Sequence, residues 1–272
     1  FLAALIGAYI TYELTNYDEV GGICGYAEKC NFERCKNSGE LYCDDSDCGG
    51  IVGLAKGCNI NNCLNTAVLR NDGSSSMGGI VGCVEDKTKI TNCLSIQKNP
   101  IIGNSGSESP SSGNNYRLKD GKNKAYRFEM QVTKEQMEDG TVALWLNNGT
   151  ENRNLAVKPW RQNLIGDAKD SVPVLDTTHN EVKPKDLKHI SIKNENDLRA
   201  FAKKVNEGEQ FCNAVLENDI KMSSDKLWTP IGTKDHRWRG VFDGQGHTIS
   251  GLKCSIEDNI EEGAGLFGTV DV

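Results

Sequence analysis

The stretch GGIVGLAKGCNINNC at residues 49–63 is nearly a copy of GGICGYAEKCNFERC at 21–35, and GGIVGCVEDKTKITNC at 78–93 repeats it again. The leading glycines, Gly21, Gly49 and Gly78, are offset by 28 and then 29 residues, a period that belongs to stacked repeat architectures. Cysteines keep the phase: Cys30 and Cys58 follow their glycine by nine residues, Cys35 and Cys63 by fourteen, and Cys93 by fifteen. Phe32, Ile60 and Ile90 take equivalent places, Asn31 matches Asn59, and weaker copies stand at AALIG (3–7) and GAGLFG (263–268).

Each copy reads as short strands (GGIVG, then NINNC or KITNC, then TAVLR or PIIGN) separated by Gly, Asn, Asp and Ser. None holds enough apolar surface to fold alone, so the copies must stack. As one layer each of a parallel β-solenoid, their strands bond to the layers above and below, and equivalent side chains form columns with a ~4.8 Å step. Cys30/Cys58, Cys35/Cys63/Cys93 and Phe32/Ile60/Ile90 are then the expected inward ladders. Cysteine suits such a ladder as a small apolar side chain, and paired glycines let the backbone turn where a Cβ would clash.

Composition agrees. Of 272 residues 37% are hydrophobic but only 7% aromatic, with 29 glycines, which favours many short strands over large helices. The formal charge of −7, without a Lys/Arg run, argues against nucleic acid as a partner. No apolar stretch approaches the ~20 residues that cross a bilayer. The longest, FLAALIGAYI at 1–10, lacks a basic flank, so membrane insertion is not expected and the chain reads as a mature segment cut from something longer.

Eleven cysteines leave at least one unpaired within the chain. The pairs Cys30/Cys35, Cys43/Cys48 and Cys58/Cys63 each enclose four residues, wider than a tight zinc pair, and no histidine precedes His179. Buried thiols are therefore favoured over zinc or iron–sulfur. Cys43 and Cys48 leave the ladder phase and are the pair expected to bridge, closing the loop CDDSDC.

Three segments follow. Residues 1–98 carry the repeats and 187–272 carry an amphipathic helix and initial layers. Between them, 99–186 reads as linker and end cap: a Ser/Gly-rich loop at 103–115, then YRFEMQV and TVALWLN as strands around a helix-like TKEQMEDG, with Trp145, Trp160 and Leu164 plugging the open end of the stack. Leu198, Phe201, Ala202 and Val205 have the spacing of one helical face, with Asn196 as N-cap and Gly208 as stop.

The stretches WTPIG (228–232), FDGQGHTISGL (242–252) and GLFG (265–268), with the earlier GGIVG and I-x-N-C repeats, together resemble GLUG-motif β-helix modules. These occur in bacterial cell-surface proteins, among them adhesin-like proteins and the noncatalytic N-terminal regions of IgA proteases. The resemblance touches about two thirds of the chain. It implies a right-handed parallel β-helix, extracellular on a bacterial surface, without a defined catalytic site, that adheres to a host or matrix glycan or protein or serves as scaffold. The initial layers come last in the sequence, which leaves three arrangements open: part of a tandem array, a head folded back under residue 1, or a swapped homo-oligomer.

The alternative is a polysaccharide lyase or glycoside hydrolase, which needs paired carboxylates or calcium-bound carboxylates beside a base. Asp243 and His247 in FDGQGH are the best local candidates, but Asp-Gly and Gln-Gly are turn dipeptides. Asp44, Asp45 and Asp47 make the one loop suited to calcium, against a solvated acidic turn; no other cofactor is indicated. Tyr42 and Tyr116 are the aromatics at the edges of the loops that break the period, so they join these aspartates as expected ligand contacts. Asn148-Gly149-Thr150 matches a glycosylation sequon.

Overall fold

The computed structural model describes residues 5–6, 19–43, 47–71, 76–105, 110–119, 129–254 and 263–271. It divides into two units, Phe1–Val182 and Lys183–Val272. The described residues form an all-β chain of parallel sheets with three α-helices and one short 3-10 turn.

In the first unit each copy of the repeat adds one strand to each of several sheets. The first sheet sets Cys24–Glu28, Val52–Lys56, Val81–Glu85 and Ile102–Ser105 side by side. The second sets Asn31–Glu33, Asn59–Asn61, Lys89–Thr91 and Ser111–Gly113 side by side. The third runs through Leu5–Ile6, Lys36–Asn37, Leu64–Asn65, Leu94–Ser95, Tyr116–Leu118 and Met130–Val132. Phe32 pairs with Ile60 and Ile60 with Ile90, as the repeat predicts. The layering does not stop at Asn99: residues 102–118 add a strand to all three sheets, at a shorter offset (Val81 opposite Ile102, Leu94 opposite Tyr116).

Two corners per layer explain the cysteines. Between the second and third sheets, Asn62, Asn92 and Asn114 have φ of 53°, 55° and 56°, the left-handed region that asparagine tolerates best after glycine. The next N–H then points into the interior and needs an acceptor. That of Cys63 donates to Sγ of Cys93 at 3.4 Å, and that of Cys93 to Oδ1 of Asn115 at 2.9 Å. At the preceding corner, Cys30 N–H donates to Sγ of Cys58 at 3.4 Å and Cys58 N–H to Oγ1 of Thr88 at 3.2 Å. The columns Cys35–Cys63–Cys93–Asn115 and Cys30–Cys58–Thr88 thus accept any small side chain with an acceptor, so cysteine is more than a space-filler here.

Cys35, Cys58, Cys63, Cys93, Ile60 and Ile90 are buried within the main core, with Phe32 packed against it. Cys30 departs from the expected ladder: it is exposed, and among the described residues Asn31–Glu33, which it precedes, is the edge strand of its sheet. The paired glycines are sterically required. A Cβ on Gly49 would stand 1.8 Å from the Val52 carbonyl oxygen, and one on Gly50 2.3 Å from Nδ2 of Asn65. Cys43 and Cys48 are bridged and buried.

Trp145 and Trp160, expected to plug the open end, lie instead against a flank of this stack, where Trp145 stacks on Tyr116 and Trp160 bonds to Asn62. Helix α1 (Lys134–Glu138) starts at a capping box between Thr133 and Gln136, and α2 (Thr141–Asn148) follows. TVALWLN is therefore a helix and not a strand; a short apolar run does not distinguish the two, and here Val142 and Leu146, one helical turn apart, both face the cluster of Leu64, Leu94, Tyr116 and Trp160. The corner asparagines anchor this flank. Asn62 exchanges bonds with Asn152 and accepts from Trp160 Nε1 at 2.9 Å. Asn92 donates to Glu151, and Asn114 to the Trp145 carbonyl.

The second unit pairs His189–Ile192 with Asn213–Leu216 and the latter with Phe242–Asp243, all parallel. Helix α3 (Glu195–Asn206) connects the first two strands, with Leu198, Phe201, Ala202 and Val205 buried as their spacing predicts. Its N-cap is Asn194, whose side chain accepts from Asp197 N–H, and not Asn196. The motif stretches meet: Ile231 of WTPIG bridges Phe267 of GLFG, and Phe267 stacks on Trp238 at 5.0 Å.

Candidate functional site

Three-residue strands expose their first and third side chains when the middle one faces in. On the second sheet the inward residues are Phe32, Ile60 and Ile90, so Asn31, Asn59 and Lys89 form one outer column and Glu33, Asn61 and Thr91 the other. A groove of about 630 Å³ lies over this face, lined also by Arg34 and by Glu151 from the loop after α2.

Amides and paired charges supply its polar chemistry, beside Phe32 and Ile60, which also line it. Asn59 Nδ2 donates to Asn31 Oδ1 at 2.9 Å across adjacent layers. Asn61 Oδ1 accepts from Thr91 Oγ1 at 3.2 Å and from Asn92 Nδ2 at 3.0 Å. Lys89 Nζ lies 2.8 Å from Glu151 Oε1, and Arg34 Nε lies 3.6 Å from Glu33 Oε1. Burial pushes the Glu151 carboxyl up, but hydrogen bonds from Lys89, its own backbone N–H and Asn92, with the Lys89 charge, outweigh that and hold it below the ordinary range. A carboxylate so held serves as an acceptor at neutral pH, the opposite of a general acid.

The sequence-predicted contacts lie elsewhere. Tyr42 is exposed on Glu40–Cys43, opposite Arg70. Asp47 pairs with Glu19 in another sheet and stands by Cys83, whose thiol is pushed up to about 11 by burial first and by Asp47 second. Asp44 and Asp45 lie outside the described residues. Tyr116 is corrected: it is 1% exposed, stacked on Trp145 at 5.7 Å, because it continues the Leu64–Leu94 column under the flank, and a buried ring cannot meet a ligand. Asp243 accepts from Gln245 in its own turn, and His247 Nδ1 lies 3.3 Å from Asp219, so the structure gives these two candidates separate partners.

Among the described residues, no cluster of three or more His, Cys, Asp or Glu is arranged to hold a metal ion, and no helix is long and apolar enough to cross a membrane. Sequence reasoning missed the groove although its signal was present: Asn31 and Asn59 keep the repeat phase one residue from inward Phe32 and Ile60. Comparison of the chain with protein-family profiles, with curated proteins and with solved structures gave no match.

Proposed function

We propose that the chain is a right-handed parallel β-helix of the GLUG type, a noncatalytic module of bacterial cell-surface proteins that adheres or scaffolds through the groove of its second sheet. The parallel register at offsets of 28 to 30 residues supports the β-helix. One observation carries the binding reading: a layered polar face, walled by Glu151, that presents side chains at a fixed step. Its carboxylates are salt-bridged, which supports a binding role over lyase or hydrolase chemistry.

A glycan array probed with the whole chain, with and without added calcium, tests this when each retained glycan is also assayed for new reducing ends. Retention without cleavage is expected. Cleavage would replace this reading with that of a polysaccharide-active enzyme, and silence across the array would remove glycan adhesion from it.

A further inference from the structure

We infer that the groove of the second sheet takes an uncharged, polyhydroxylated chain, a neutral glycan, lying across the strands along the stacking direction. This rests on the binding reading above and narrows its ligand class.

Charge gives the first argument. The two cations of the groove, Lys89 and Arg34, face its two anions, Glu151 and Glu33, so an ionic polymer would have to separate an existing pair. Binding polar groups without replacing their partners is unfavourable, and a neutral chain leaves both pairs intact.

Hydrogen-bond capacity gives the second. The Asn59–Asn31 bond uses the Asn59 amide NH₂ and the Asn31 amide oxygen. The Asn31 NH₂ and the Asn59 oxygen keep no protein partner among the described residues. Asn61 spends its oxygen on Thr91 and Asn92 and keeps its NH₂. The groove therefore offers a donor and an acceptor on one outer column and a second donor on the other, about 7 Å away along the strand. A sugar hydroxyl is both donor and acceptor and answers each of them.

Geometry separates a glycan from a peptide. An extended peptide is read mainly through its backbone, by adding a strand to a free sheet edge. Here the central strands Asn59–Asn61 and Lys89–Thr91 are paired on both sides, so this surface is a face with its backbone already committed. It offers side chains alone, repeating every ~4.8 Å along the stack, a step comparable with the advance of one pyranose ring in an extended glycan.

The test is calorimetric titration of the whole chain with neutral hexasaccharides of differing linkage (cello-, xylo-, manno- and maltohexaose), with hexagalacturonate, and with a Gly/Ser decapeptide. The expected result is binding of at least one neutral hexasaccharide, unchanged as salt rises from about 0.05 to about 0.5 M, and weakened about tenfold or more by Asn59→Asp. Asn61→Ala gives the same reading should Asn59→Asp fail to fold. Salt-sensitive binding of hexagalacturonate alone, abolished by Asn61→Ala, would keep the groove and overturn the neutral class; capture of the decapeptide alone, with the same loss, would do likewise. Binding that neither variant alters would overturn both the groove and this inference, and no binding by any probe would overturn the inference.

Discussion

Ile60 and Ile90 in the first unit, and Ala214 and Phe242 in the second, are paired residues one layer apart, with offsets of 30 and 28. What fills the space inside differs. In the first unit it is Cys, Ile, Val and Ala; in the second, Phe201 of the amphipathic helix meets Trp238 edge to face, Phe242 meets Trp238 and Phe267 edge to face, and Trp238 stacks on Phe267. Parallel pairing at a similar offset is thus compatible with two different fillings between the strands, chosen by the volume and the polar groups to be satisfied. Corners turned by left-handed asparagines direct N–H groups inward, so the first unit needs small acceptors. In the second, indole N–H groups reach the backbone directly: Trp238 Nε1 donates to the Cys212 carbonyl and Trp228 Nε1 to that of Leu266.

That contrast is most exposed to failure at Cys63, which is 0% exposed in the middle of its column. Cys63→Asp places a charge in a buried column that otherwise holds neutral side chains and is expected to cost about 4 kcal/mol or more, or to prevent folding. Urea unfolding followed by circular dichroism gives the answer, and an unchanged midpoint would mean the column is not interior.

The acceptor role is sharpened by a smaller pair of changes. Cys93→Ser keeps an acceptor for the Cys63 N–H and a donor toward the Thr91 carbonyl, whereas Cys93→Ala leaves the N–H unpaired. Alanine should be the worse by about 1–3 kcal/mol. Equal losses would return cysteine to the role of apolar filler.

The smallest effect belongs to the second unit, where charge does some of this pinning. Glu195 accepts from the Ser223 hydroxyl and backbone N–H, and from Arg199 at 2.8 Å. Ser223 first and then Arg199 lower its pKa to about 2, below its unfolded value of ~4.3. This contribution is complete above the unfolded pKa and disappears as pH falls through the folded one. The midpoint difference between the parent and Glu195→Gln should be present at neutral pH and shrink to nothing toward pH about 2; a pH-independent difference would show that the carboxylate's charge contributes nothing.

Legibility in the sequence followed identity between copies. Cys58, Cys63, Ile60 and the Cys43–Cys48 bridge could be read because the same residue recurs, or visibly leaves the phase. The layer at 102–118 could not: it drops the paired glycines and both cysteines, substitutes Asn115 for the thiol, and runs at offsets of 21 to 22 residues. The ends of α2 were ambiguous in a run too short to show its period. The groove demanded knowing which side of a three-residue strand faces in, a choice made by the corner residue's φ rather than by any apolar–polar alternation over so short a span.

Consider, last, the corner asparagines 62, 92 and 114, which stand in three successive layers and are bonded to one flanking segment through Asn152, Glu151 and the Trp145 carbonyl. Mechanically that segment is a splint. A pull along the stack cannot peel these layers one by one, because each is also tied sideways to the same bar; they must yield together, at a force set by their sum. The layer before them has Arg34 at the equivalent corner, with no asparagine there for the splint to hold.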